Sequence, residues 1–180
     1  MAGRRTDTRE RILRVALELF AEQGYDRTSL RQISDRLQIT KASLYYHFQS
    51  KEEILEAILG EFAERLTNVV AWGRGRPPGP ETRHELLRRY SEIITEAASI
   101  TQSNAFQEFA VATQIRTDVL ALLELLTGPD ATTAGRLRAQ LAIAALHIGL
   151  TPGGLTPMPT DDPELPKIAL DLAAQLVEGE

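Results

Sequence analysis

Thr40-Lys41-Ala42-Ser43-Leu44-Tyr45-Tyr46-His47-Phe48-Gln49-Ser50-Lys51 is the stretch on which the fold turns. Thr40 carries the hydroxyl of a helix N-cap, and Leu44 and Phe48 stand four residues apart, so both face one side of a short helix over 41–48. Before it, Gln38-Ile39-Thr40 reads as a three-residue turn. Leu30, Ile33 and Leu37 mark another short helix, over 30–37, that Thr28 or Ser29 caps. Further upstream, Ile12, Leu13, Ala16, Leu17, Leu19 and Phe20 recur at three- and four-residue spacing, which predicts an amphipathic helix over 8–23 that Gly24 stops. Downstream, Ser50 and Glu53 have capping-box spacing and open a fourth helix, from Lys51 to about Val70.

Gly73-Arg74-Gly75-Arg76-Pro77-Pro78-Gly79-Pro80 interrupts the helical pattern and has the composition of a linker. Helical periodicity resumes over 81–100 and again over 102–126, with an interruption expected near 114–117 and a stop at Gly128-Pro129. A helix over 133–150 is rich in small residues, among them Ala134, Ala139, Ala142, Ala144 and Ala145, a face that another helix can approach closely. A loop through Pro159 leads to a last helix over 163–177, with Asp162 as its cap and Pro163 at its first position. Alternating strand patterns bounded by hairpin turns do not occur, so the expected fold is all α. The pattern divides it into a three-helix head, 1–50, and a connecting helix with a helical body, 51–180.

Hydrophobic residues at 43% and charged residues at 25% are ordinary for a soluble globular chain. With no cysteine there is no disulfide framework, no thiolate nucleophile and no Cys-type zinc site. The basic start leads into a charged amphipathic stretch rather than an apolar leader, and apolar runs fall short of the roughly 20 residues of a membrane span. A cytoplasmic location and no membrane partner are expected. The net charge of −5 hides an asymmetry: residues 1–51 hold ten Lys and Arg against six Asp and Glu, a balance of +4 that leaves −9 for the remainder. A basic head on an acidic body suits a polyanion bound at one end. Chance scatter of charge over a solvated surface is the other reading of the same balance.

Helices over 30–37 and 41–48 joined by three residues have helix-turn-helix spacing. With Leu44 and Phe48 facing inward, the second helix is left with Lys41, Ala42, Ser43, Tyr45, Tyr46 and His47. The polar groups of that set can donate to phosphate oxygens or base edges, and Ala42 keeps the leading end slim enough for a major groove. Thr28 and Ser29 at one helix start, with Thr40, Ser50 and Lys51 at two others, add backbone N–H groups where an anion docks well. A partly buried cluster of Tyr45, Tyr46 and His47 is the alternative that the residues alone leave open.

Thr8-Arg9-Glu10-Arg11-Ile12-Leu13, Ala16, Leu19-Phe20-Ala21, Gly24-Tyr25, Thr28-Ser29, Ile33, Leu37 and the run from Lys41 to Glu53 resemble the N-terminal DNA-binding domain of the tetracycline-repressor (TetR) family. The resemblance covers residues 8–59, and its Leu-Tyr-Tyr-His-Phe run with a following lysine is its most specific part. It implies a homodimeric transcriptional regulator of all-α subunits, most often a repressor, that binds a palindromic double-stranded operator and leaves it when a small-molecule effector occupies the body. It further implies phosphate contacts from Thr28, Lys41, Tyr45, Tyr46, His47 and Lys51, and base contacts near Ala42 and Ser43, with Lys41 or Tyr45 as additional candidates. Many members have glycine in the inter-helix turn where this chain has Gln38; if a positive φ is needed there, glutamine costs about 1 kcal/mol relative to glycine.

In the body, Phe62, Trp72, Tyr90, Phe106 and Phe109 are the large aromatics available to line an effector pocket, which points to an apolar or aromatic ligand; core packing is the other role open to each. Leu137, Leu141, Ala145 and Ile148 on one helix, and Ile168, Leu172 and Leu176 on the last, form stripes wider than one small body buries, so a four-helix interface between two copies is expected. His147 reads as a satisfied core histidine and His84 as solvated. No enzyme is expected: His47, His84 and His147 fall in three different helices, with no metal-spaced carboxylate motif, Gly-rich phosphate loop or nucleophile elbow, and neither a cofactor nor a metal is implied. The alternatives within the DNA-binding class are a ligand-independent helix-turn-helix protein and an activator of the same fold.

Overall fold

The computed structural model describes residues 2–97, 111–150, 162 and 164–178, with side chains for 7–95, 111–148, 162 and 164–178. The described residues form eight helices and no strand: α1 (Ala2–Gln23), α2 (Leu30–Leu37), α3 (Lys41–His47), α4 (Lys51–Arg74), α5 (Pro80–Ala97), α6 (Val111–Thr127), α7 (Thr133–Leu150) and α8 (Leu165–Glu178). They fall into two compact units that divide within α4, one holding 2–62 with 111–112 and the other 63–97 with 113–178. None of these helices is long and apolar enough to cross a membrane.

The first unit is built on the spacings read above. Ile12, Leu13, Ala16, Leu19 and Phe20 of α1 meet Ile33 and Leu37 of α2, Leu44 and Phe48 around α3, and Ile54, Leu55, Ile58 and Leu59 of α4 in one buried cluster. Burying a leucine- or phenylalanine-sized side chain is worth about 1.5–3 kcal/mol, so a cluster drawn from four helices fixes how the short α2 and α3 are held. Neither would persist alone at eight and seven residues, because helix nucleation is costly. Gly24 ends α1 with φ of +87° while its N–H closes the last turn on the Phe20 carbonyl at 2.9 Å, a left-handed cap that glycine adopts without a Cβ penalty.

In the second unit α7 and α8 pack along their length, and both also meet α5. The buried faces of this pair are largely alanine, Ala139 and Ala142 on α7 with Ala169, Ala173 and Ala174 on α8, so the two backbones approach closely. Pro80 is the first residue of α5, where its missing N–H costs nothing.

Four boundaries differ from the sequence reading. α1 begins at Ala2 rather than near Thr8, and α4 runs to Arg74, past Val70. α6 is continuous through 114–117, because its polar groups are satisfied within the helix: Gln114 donates to Asp118 at 3.0 Å and the Thr117 hydroxyl to the Thr113 carbonyl at 2.9 Å. α8 begins at Leu165, two residues after the expected start, with Asp162 capping it through a 2.9 Å bond from the Glu164 N–H and a 3.1 Å bond from Leu165. Residues 98–110 and Pro163 lie outside the described residues.

Candidate nucleic-acid interface

α2 and α3 are set by three local devices. Ser29 caps α2 in a reciprocal box: its hydroxyl accepts from the Gln32 N–H at 3.3 Å, and the Gln32 side chain accepts from the Ser29 N–H at 2.8 Å. Gln38 closes α2 in the left-handed region at φ 55° and ψ 39°, its N–H on the Asp35 carbonyl, so the turn does require a positive φ and glutamine supplies it. Thr40 then caps α3, accepting from the Ser43 N–H at 3.1 Å. Each cap satisfies helix-end donors that would otherwise lack partners.

With Leu44 and Phe48 buried, α3 turns its other side outward. Tyr45 is 45% and Tyr46 62% exposed; Lys41 and Ala42 are exposed, while Ser43 and His47 are half-buried. Tyr46 and His47 meet edge to face at 5.2 Å, which orders two polar rings without hiding them. The buried-cluster reading of Tyr45 and Tyr46 therefore fails, because the inward positions are already filled by Leu44 and Phe48. No hydrogen bond or ion pair is recorded for Lys41 among the described residues, whereas Arg31 pairs with Asp35 at 3.5 Å and Arg36 with Glu22 at 2.7 Å. A phosphate thus finds an uncommitted ammonium at the leading end of α3.

Two expected phosphate contacts look different in place. Thr28 is 3% exposed, and its hydroxyl donates to the Gly24 carbonyl at 2.9 Å and accepts from Gln23 at 3.1 Å. Its hydroxyl thereby fastens the α1–α2 loop. Lys51 donates to the Tyr25 carbonyl at 2.8 Å with its ammonium 4.0 Å from the centre of the Tyr25 ring. Tyr25 in turn donates its hydroxyl to Glu52 at 3.1 Å; burial and the adjacent Glu52 carboxylate raise the Tyr25 pKa, so it stays a donor. An ammonium has three N–H donors and Tyr25 takes one, so Lys51 is both a strut of the head and a cation with donors to spare. At Ser50, whose hydroxyl caps Glu53 at 3.2 Å, the return bond of the expected box goes one residue further back, from the Gln49 N–H to the Glu53 carboxylate at 2.6 Å.

This unit, two capped short helices with a polar outward α3, coincides with residues 12–58, which match the family described as bacterial regulatory proteins, tetR family. Over those residues the chain is similar to the TetR family. Among curated relatives, the IcaR negative transcriptional regulator of the biofilm operon icaADBC from Staphylococcus aureus (strain Newman) is 38% identical over 68 residues. That alignment covers 38% of this chain and 37% of IcaR. The transcriptional repressor KstR2 of Mycolicibacterium smegmatis is 40% identical over 58 residues, 32% of this chain and 28% of KstR2. The match to both thus spans about a third of each relative's length. Solved structures extend the likeness in fold to the whole chain. A TetR-family regulator from Bordetella parapertussis superposes with a TM-score of 0.74 at 19% identity, covering 96% of this chain and 94% of that one. The ketosteroid transcriptional regulator KstR2 of Mycobacterium tuberculosis does so at 0.72 and 22%, with the same coverage.

The aromatic residues proposed from sequence for an effector pocket scatter. Phe62 belongs to the first compact unit and Tyr90 to the second, and both are buried. Trp72 is half-buried, with the guanidiniums of Arg76 and Arg89 5.3 and 4.4 Å from its ring centre. Phe106 and Phe109 lie outside the described residues. Tyr90 bonds through its hydroxyl to His147 Nε2 at 2.8 Å, and burial lowers the His147 pKa, which favours a neutral imidazole held in the interior. None of Phe62, Trp72 and Tyr90 lines the cleft of about 700 Å³ that opens in the second unit. The arginines that do line it, Arg74, Arg76 and Arg136, were not singled out in the sequence. Alternation with glycine and proline made the first two read as linker, yet the alternation itself, Gly73-Arg74-Gly75-Arg76, brings two cations to one helix end. Of the residues expected at an interface between copies, Leu137, Leu141, Ile148, Ile168 and Leu172 are exposed large hydrophobics, and Ala145 and Leu176 are half-buried.

Proposed function

We propose that this chain is a homodimeric transcriptional regulator that holds a palindromic double-stranded operator with α3 of each copy in successive major grooves, and that a small molecule bound in the second unit releases it. The observation that carries the reading is the outward face of α3, where Lys41, Ala42, Tyr45 and Tyr46 stand clear of a core that Leu44 and Phe48 complete. Lys41, Tyr45, Tyr46, His47 and Lys51 supply phosphate anchors. Ser43, with Ala42 beside it, reads bases. Ser29 and Thr40 contribute through the helix ends they cap, where backbone N–H groups favour an anion.

The dimer is supported by the apolar stripe on α7 and α8, five exposed large side chains on adjacent helices, where a self-complementary pairing would remove them from water. Two α3 helices reading one palindrome would meet half-sites about 34 Å apart. Repression and ligand response are supported by analogy: IcaR and KstR2 carry the names of a negative regulator and a repressor. The FadR regulator of Bacillus subtilis, which shares the fold at a TM-score of 0.62 and 18% identity, was solved with stearoyl-CoA bound. A ligand shifts the dimer off its operator only by its difference in affinity for the two arrangements.

The test is selection of bound sequences from random duplex DNA, followed by titration at several salt concentrations. A palindromic consensus should emerge, and Ser43→Ala should alter base preference while Lys41→Ala weakens binding to every sequence. Absence of double-strand binding at low salt refutes the reading.

A further inference from the structure

The cleft in the second unit is formed where the end of α4 and the loop after it meet the end of α6 and the start of α7. Its walls are of two kinds. Leu120, Ala121, Leu123 and Leu125 from α6, with Pro78 and Pro129, make an apolar side, and Leu120 is left 56% exposed there. Arg74 from the end of α4, Arg76 from the loop after it and Arg136 from α7 line the same space, opposed among the lining residues by one carboxylate, Glu124.

This concentration of cations runs against the local balance. Residues 52–180 carry a net charge of −9 with ten Lys and Arg among them, and three of those ten line this one cleft. Elsewhere in the unit Arg88 and Arg89 pair with Glu85 at 2.7 Å each and Arg83 donates to the Val177 carbonyl at 3.1 Å, while Arg116 and Arg138 stand outside the cleft with no ion pair recorded among the described residues. Among the described residues no side-chain hydrogen bond or ion pair is recorded for Arg74, Arg76 or Arg136. Arg76 lies over the Trp72 ring, an arrangement that steadies the guanidinium through its face and leaves its in-plane N–H donors available. Guanidinium forks match carboxylate and phosphate oxygens in bidentate fashion, and a cleft with low-dielectric walls strengthens that attraction. A volume near 700 Å³ lies within the range of small-molecule sites.

We infer that this cleft binds an amphiphilic anion, a carboxylate or phosphate head held by Arg74, Arg76 and Arg136 with its apolar part against Leu120 and its α6 neighbours. This names the chemical class of the effector and rests on the ligand-responsive reading above. The aromatic or neutral apolar ligand suggested by Phe62, Trp72 and Tyr90 is not what these walls would select.

Calorimetric titration of the full chain with octanoate, octyl phosphate, octanol and octylammonium tests it, since the four probes share a tail and differ in head charge. At least one of the two anions should bind tenfold or more tighter than octanol, and octylammonium weaker than octanol. Preference for octanoate over octyl phosphate assigns a carboxylate head, and the reverse a phosphate. Arg74→Gln with Arg136→Gln should bring the anions down to the level of octanol with the circular dichroism unchanged; if that pair fails to fold, each single change should remove part of the preference. Equal affinity for the four probes, no binding of any, or an anion preference that survives the arginine changes overturns the inference. Operator binding measured on the same samples separates the two readings: DNA binding without anion preference sinks the cleft alone, and anion preference without DNA binding sinks the regulator alone.

Discussion

Two glycines of α4 should respond in opposite directions to the same substitution. Gly60 is exposed, and a Cβ there would meet nothing within 4 Å. Gly60→Ala should therefore gain the helix-propensity difference, about 0.5–1 kcal/mol. A Cβ on Gly73 would lie 2.8 Å from Leu86 Cδ2 and 3.0 Å from Leu125 Cδ1. Leu86 is fully buried, so its methyl has no solvent to retreat into, and overpacking of this kind costs about 1–3 kcal/mol. Gly73 is also the penultimate residue of α4, where the propensity gain is smaller than in mid-helix, so the clash decides the sign. For a chain of this length each kcal/mol moves Tm by about 2–4 °C; the expectation is a rise of roughly 1–4 °C for Gly60→Ala and a fall of roughly 2–12 °C for Gly73→Ala. Thermal and urea melts at one fixed protein concentration give both numbers, and the single tryptophan, Trp72, is a neighbouring fluorescent reporter. If Gly73→Ala stabilised the protein as much as Gly60→Ala, the close packing of α5 and α6 on the end of α4 would be wrong.

Lys51→Ala should both lower the melting temperature of the head, because the bond to the Tyr25 carbonyl goes with it, and reduce the salt slope of DNA binding by about 0.9 for the one phosphate it would neutralise; an unchanged slope would leave Lys51 a strut only. Gln38→Gly should stabilise by about 0.5–1 kcal/mol, the left-handed strain relieved less the extra freedom of the unfolded glycine, and a loss of stability in urea melts would contradict that. Hydrogen bonds from Arg88, then Arg89, hold the Glu85 carboxyl down to about 2 from 4.5, while Glu92 shares Arg88. Since the folded value is the lower one, this carboxylate stabilises above pH 4.5 and the contribution is lost as pH falls through about 2. Glu85→Gln should accordingly melt lower than the parent at pH 6 and approach it as the solution is acidified; a gap that stays constant down to pH 3 would count against the pairing.

Much of the head was legible because its signals are local. Thr40, Leu44 and Phe48 fix α3 within nine residues, and the capping pair Ser29 and Gln32 is completed within one helical turn. The Gln38 turn could be read as a question of backbone sign, and the structure answers it with φ of 55°. What stayed out of view were contacts distant in sequence or internal to a helix. The role of Lys51 depends on a carbonyl 26 residues away, which no spacing rule reports. Thr28 has the composition of a cap and the environment of a core hydroxyl. The polar run at 114–117 resembled a break because its side chains find partners inside α6 itself. The arginine cleft assembles from α4, the loop after it and α7, segments that have no reason to be compared until they are folded together.

The clasp among Lys51, Tyr25 and Glu52 has a mechanical consequence. One end grips a main-chain carbonyl and the other a phenol, so the α1–α2 loop is riveted to the first turn of α4 at two points. A double tie of that kind couples the start of α4 to the loop that leads into α2, so the two are steered together.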